Sequence, residues 1–219
     1  MNKRSIVAIT AVIVVLAFAF GVSYYNNVEK KRGEPKAEVV VADDTLIRPH
    51  SPILGPENAP VTVVEFFDPS CEACRVFYPV VKQTMAKYPD DVRVILRYAP
   101  FHQGSDIAIG ILEASRKQGK FEAVLEALLR KQPEWAIHGA PNLDRAWEIA
   151  GEVGLDVAQA KAVAAEPFVA ELIAQDREDI RANGVRGTPT FFVNGKQLPF
   201  GPEPFNTAVD QAVSASKKQ

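Results

Sequence analysis

Between Val61 and Phe67 the chain places Val61, Thr62, Val63, Val64, Phe66 and Phe67 around a single charged residue, Glu65. A run so rich in β-branched and aromatic side chains predicts a strand buried on both faces. Asp68-Pro69-Ser70 follows as a turn and helix-start signal, and the helix it opens is expected to reach about Lys87. Val92 to Tyr98 repeats the strand pattern, with Ala99 to Gly104 as its exit loop. From about Ser105 to Asn183 the period changes. Ile107, Ile111 and Leu112, then Phe121, Leu125, Leu128 and Leu129, then Trp147, Ile149 and Val153, and finally Phe168, Leu172, Ile173 and Ile180 recur at helical spacing. Breaks at Gly119, Gly139 to Pro141, Gly151 or Gly154, and Pro167 predict four or five helices there. Thr190 to Val193 predicts another strand, Asn194-Gly195 a type I′ hairpin, and Gln197 to Phe200 a short returning edge strand. Pro202 to Ser216 closes the chain as a helix with Phe205, Val209 and Val213 on one face.

Ahead of the first strand the pattern is different. Lys3 and Arg4 precede an uncharged run from Ser5 to Val22 that continues to Tyr24 and Tyr25. This is an export signal by pattern, and residues 1–25 read as a signal anchor or a signal peptide. Its length of about 18 to 21 residues and the tyrosine pair favour an uncleaved anchor in an inner membrane through residues 5–25. Ala17-Phe18-Ala19, which has the pattern of a cleavage site, and Lys30, Lys31 and Arg32 beyond the run favour removal and a soluble periplasmic product. Both readings put the rest of the chain in the periplasm or on the outside of the cell envelope. Residues 26–50 read as a polar tether, and the prolines between Arg48 and Pro60 as an extended lead-in to a domain over residues 51–219.

With 219 residues and 47% hydrophobic content, the chain is long enough for one sizeable core. The formal charge is −2, and without the first 25 residues, which hold two bases and no acid, it becomes −4. No nucleic-acid partner is implied.

The only cysteines, Cys71 and Cys74, stand three apart at the start of the first helix, on one face of it. Backbone N–H groups of a first helical turn favour a thiolate at the first sulfur, and the second is close enough to resolve a mixed disulfide. This assigns attack to Cys71 and resolution to Cys74, which lies a turn deeper beside Val76 and Phe77. A purely structural disulfide across so short a loop removes little unfolded-state entropy, roughly 2 kcal/mol. A zinc site needs further ligands, and His50, His102 and His138 are not at paired ligand spacing, so neither a metal nor another cofactor is expected.

The segment FFDPSCEAC, with Glu65 six residues before the first cysteine, resembles the active-site region of the thioredoxin superfamily, and its DsbA-type branch in particular. Gly187-Thr188-Pro189-Thr190-Phe191-Phe192-Val193-Asn194-Gly195, about 115 residues further on, is similar to the segment that carries a cis-proline facing the cysteine pair. Gly55 to Pro60 is likewise family-like. The resemblance implies an α/β thioredoxin fold, a mixed sheet flanked by helices, with a helical subdomain inserted at about residues 104–183. It implies a cis Pro189, a substrate-binding backbone at Thr188, and a buried acid, Glu65, exchanging protons with Cys74. The activity implied is thiol-disulfide exchange outside the cytoplasm with cysteine-containing exported proteins, recharged by a membrane or periplasmic redox partner. An anchored reductase or isomerase that keeps particular thiols reduced, as in cytochrome or metal-centre assembly, and a peptide-binding chaperone are the alternatives.

The dipeptide Glu72-Ala73 departs from the Pro-His of strongly oxidising relatives. An acid beside the Cys71 sulfur is expected to raise the thiol pKa and make a milder oxidant. Asp68 reads as a turn residue, His102 as a loop-stabilising histidine near the rim, and Trp135 and Trp147 as helical core.

Overall fold

The structure is a computed structural model that describes residues 43–218, together with Gly21 and Ser23. The chain divides into two units, residues 1–38 and 39–219, and the fold below belongs to the second. The export segment read at residues 5–25 and most of the tether lie outside the described residues. Among the described residues no helix is long and apolar enough to cross a membrane.

Five strands form one mixed sheet in the order β1-β3-β2-β4-β5. They are β1 (Ile53–Leu54), β2 (Val61–Phe67), β3 (Val92–Tyr98), β4 (Thr190–Val193) and β5 (Lys196–Gln197). The two strands read as continuously apolar lie side by side at the centre: β2 pairs β3 in parallel and β4 antiparallel, with Glu65 opposite Leu96 and Phe191. The α/β thioredoxin fold expected from the two motifs is the one observed.

The alternation along β2 sorts its side chains between two layers. Val61, Val63 and Phe67 face a large core beneath α2 (Glu72–Lys87) and α9 (Pro202–Ser216). Phe77 of α2 meets Phe191 at 4.7 Å and Phe205 at 5.4 Å between ring centroids. Glu65 has the parity of Val63 and Phe67, so its carboxyl points into the layer that holds the cysteines. Val64 and Phe66 face the other side, with Ile95, Phe192, Leu46, Ile180 and Val185.

That second layer also buries charge. Arg97 of β3 is fully buried, and its NH2 nitrogen lies 2.6 Å from both Asp176 and Asp179 of α8 (Pro167–Ala182), while NH1 donates to the Thr45 carbonyl at 2.7 Å. Arg48 donates twice to Asp179, His50 lies 2.9 Å from Asp176, and the Tyr98 N–H closes on Asp176 at 2.8 Å. Burial pushes the Asp179 carboxyl up, but hydrogen bonds from Arg48 and Arg97 outweigh it and hold the group below its ordinary value. The consequence corrects the expected tether: α1 (Asp43–Leu46), Arg48 and His50 are packed on the sheet, with Leu46 buried, because Thr45 accepts from Arg97 while Arg48 and His50 bind the acids of α8.

Between β3 and β4 run α3 (Ser105–Lys117), α4 (Phe121–Arg130), α5 (Gln132–Trp135), α6 (Leu143–Glu152), α7 (Val157–Ala164) and α8. This is one helix more than the four or five read from the pattern. The extra break falls at Lys131, where Pro133 starts the four-residue α5. At the hairpin, Asn194 (φ 47°) and Gly195 (φ 84°) adopt the two left-handed conformations of the type I′ turn. The returning strand is Lys196–Gln197 rather than Gln197 to Phe200; Pro199 lacks the N–H that would extend the ladder.

Candidate active site

The cysteines, the acid and the proline meet at the carboxyl ends of β2 and β3. Cys71 is the N-cap of α2, with extended backbone and no capping side-chain bond, so the first-turn N–H groups of Ala73 and Cys74 are free to serve its sulfur. Both thiols are reduced. Cys71 retains 6% of its surface, whereas Cys74 retains none. The Cys71 thiol donates to the Thr188 carbonyl at 3.3 Å, and the Thr188–Pro189 peptide is cis, as the resemblance implied.

The two sulfurs are driven in opposite directions. A hydrogen bond from Cys74 lowers the Cys71 thiol to about 5; burial opposes this, and Thr188 and the Cys74 and Ala73 N–H groups assist it. Burial, reinforced by the hydrogen bond to Cys71 and the charges of Glu65 and Cys71, pushes Cys74 far up. At neutral pH the pair is a thiolate on Cys71 and a thiol on Cys74. Glu65 is buried with no partner for its Oε2 atom, and burial, then the Cys71 charge, raises it to about 8. It is therefore protonated at neutral pH and able to lose that proton just above it.

Glu72 does not stand alone beside Cys71. The Cys71 thiol stands below its ordinary value, and the Glu72 carboxylate is turned to a histidine from the helical subdomain: Oε1 lies 2.6 Å from His138 Nε2. Its own backbone N–H, and after it His138, hold Glu72 below the usual carboxylate range against a small opposing effect of burial.

Asp68 is a turn residue, as read, and also the hub of the site. Fully buried, its Oδ1 accepts from the Ser70 N–H at 2.8 Å and the Ser105 hydroxyl at 2.6 Å. Its Oδ2 accepts from the Phe101 and His102 N–H groups and from His102 Nδ1 at 2.7 Å. One carboxylate thus joins the cysteine turn, the exit loop of β3 and the start of α3. His102 is raised above its ordinary value: burial would lower it, but the hydrogen bond and charge of Asp68, with the charges of Cys71 and Glu72, prevail.

Gln132 was not singled out in the sequence. Buried at the start of α5, its Nε2 donates to the carbonyls of Pro69 (2.8 Å) and Cys71 (3.0 Å), and its Oε1 accepts from Arg75. The inserted helices thereby hold the backbone of the reactive cysteine. A glutamine between Lys131 and Pro133 carries no local signal of that role, since its partners lie about 60 residues away. Trp135, with its indole N–H on the Leu128 carbonyl, and Trp147 are core, as expected.

A thioredoxin family model matches residues 48–211. The chain belongs to the thioredoxin family. A thioredoxin-like oxidoreductase from Silicibacter pomeroyi DSS-3 is 35% identical, with a TM-score of 0.69 over 80% of this chain and 99% of that one. The thiol-disulfide exchange protein alpha-DsbA2 from Wolbachia pipientis is 22% identical and shares the fold, with a TM-score of 0.66 over 77% of this chain and 90% of that one. The Na(+)/H(+) antiporter NhaA of Herminiimonas arsenicoxydans is 30% identical over 87% of this chain but only 30% of its own length. The chain thus spans under a third of the curated antiporters it matches.

Proposed function

We propose that this thioredoxin-family enzyme oxidises cysteine pairs in exported polypeptides outside the cytoplasm, through a Cys71–Cys74 disulfide. The observation that carries the reading is the split between the two sulfurs, a slightly exposed Cys71 lowered to about 5 and an inaccessible Cys74 driven up. A substrate thiolate attacks Cys71 Sγ, forming a mixed disulfide and breaking the bond to Cys74. The two electrons of that bond leave with the Cys74 sulfur, which takes a proton from Glu65. A second substrate thiolate then attacks its own sulfur in the mixed disulfide and expels Cys71 as a thiolate. A thiol of low pKa leaves fastest and stabilises the reduced enzyme, so electrons flow from substrate to enzyme. A membrane or periplasmic redox partner restores the disulfide. Thr188, through its backbone beside cis-Pro189, aligns the substrate chain at Cys71.

The location rests on the export pattern of residues 1–25, the chemistry on persistence of disulfides outside the cytoplasm. We assign residues 26–42 to a tether and the remainder to the catalytic domain, with the helices between β3 and β4 as its insertion.

Mixed-disulfide trapping tests the division of labour. Reduced Cys74→Ser protein, mixed with oxidised insulin, is expected to accumulate adducts through Cys71, and Cys71→Ser protein none; a mass-spectrometric count with the reverse pattern contradicts the assignment.

A further inference from the structure

The loop after α5 reaches back to the cysteines. It brings His138 against Glu72, and His138 and His102 stand edge to face with ring centroids 5.8 Å apart. Between them lies a cleft of about 230 Å³ lined by Ser70, Phe101, His102, Ile137 and His138 among others. Its floor holds the buried Ser70 hydroxyl, which has no partner, directly before Cys71 in the chain. His138 faces Glu72 of α2 and the ring of His102 from the exit loop of β3, and His102 in turn is bound to Asp68 and feels the charges of Cys71 and Glu72. On its own segment the nearby acid Glu134 is bound to Arg145 and does not compete for the imidazole.

We infer that His138 is a positioning residue for the disulfide chemistry: it binds the Glu72 carboxylate across the helix N-terminus and keeps that charge from opposing the Cys71 thiolate. The inference rests on the proposed role of Cys71. A carboxylate in the first turn of α2 works against the N-terminal partial charge that favours the thiolate. A protonated imidazole on that carboxylate cancels it. The histidine that the cysteine dipeptide lacks is thus supplied from the inserted helices, about 65 residues away in sequence.

His138 is an exposed loop residue, so its replacement leaves the fold intact. The thiolate absorbance of reduced protein, followed against pH, reads Cys71 directly and needs no substrate. His138→Gln is expected to raise the Cys71 pKa by about one unit. It should also lower the equilibrium constant for oxidation of glutathione about tenfold, about 30 mV. His138→Arg, which keeps a cation against Glu72, is expected to restore the wild-type value. In a Glu72→Gln background, His138→Gln should move the pKa by less than about a third of its effect in the wild type. An unchanged Cys71 pKa in His138→Gln, an equal shift in both backgrounds, or no rescue by arginine overturns the inference. None of these outcomes bears on whether Cys71 forms the mixed disulfide, which trapping decides separately.

Discussion

Replacing Glu65 by Gln is expected to slow the step in which the Cys74 sulfur attacks or leaves by about 100-fold at neutral pH, the lower range for loss of a positioned acid or base. Cys74 is driven up by burial and has no exposed surface, so water does not reach its sulfur, and Glu65 is the buried acid whose ionisation it feels, together with that of Cys71. The acid titrates at about 8. The wild-type rate should therefore change through that pH, and the variant should lose the inflection. Stability should move the opposite way. Glu65 is raised in the folded state, so between the unfolded carboxyl value near 4.3 and about 8 the unfolded chain releases a proton that the native state keeps, and the native state loses stability as pH rises. Gln removes that loss: at pH 8 the variant should be more stable by a few kcal/mol, and at pH 4 unchanged. Single-turnover kinetics and urea unfolding across pH 4 to 8 check both statements, and unchanged kinetics from pH 5 to 8 would return Glu65 to a purely structural role.

The second large effect lies on the other face of the sheet. Arg97→Met should cost about 3 to 5 kcal/mol at pH 7, the range for breaking a buried ion pair by removing one partner. Methionine fills much of the volume but leaves Asp176 and Asp179, both buried, with Arg48 on Asp179 and hydrogen bonds from His50 and the Tyr98 N–H on Asp176. Asp179 is held below its ordinary value in the native state partly by Arg97, so its contribution is present above the unfolded carboxyl value and lost as pH falls. Without Arg97 the acids are costly when charged. The penalty of the substitution should accordingly shrink between pH 7 and pH 4. Urea unfolding of reduced protein at the two pH values measures it, and an equal penalty at both would show that packing, not charge, dominates the site.

The positions most legible in the sequence were those fixed by local chemistry. Val61 to Phe67 announced a central strand because both its faces are covered, and Asp68-Pro69-Ser70 announced the turn because those residues hydrogen-bond their own backbone. The cis peptide at Pro189 came from resemblance to a motif. What stayed hidden depends on contacts between distant segments. Glu72 read as a charge beside Cys71, since nothing in the dipeptide shows that a loop folds His138 onto it. Gln132, Arg48 and His50 carry no local signal of their roles, and each is bound to groups contributed from far along the chain. Charge patterns report sign and spacing, but pairing across the fold decides what each charge does.

The most direct measurement is alkylation of the reduced native protein with iodoacetamide as a function of pH, with the site of modification read by mass spectrometry. One adduct, on Cys71 alone, is predicted, its rate rising with a midpoint near 5 while Cys74 stays unmodified until the protein unfolds. Equal modification of both cysteines, or a Cys71 rate that rises only towards pH 9, would contradict a thiolate held at the N-terminus of α2.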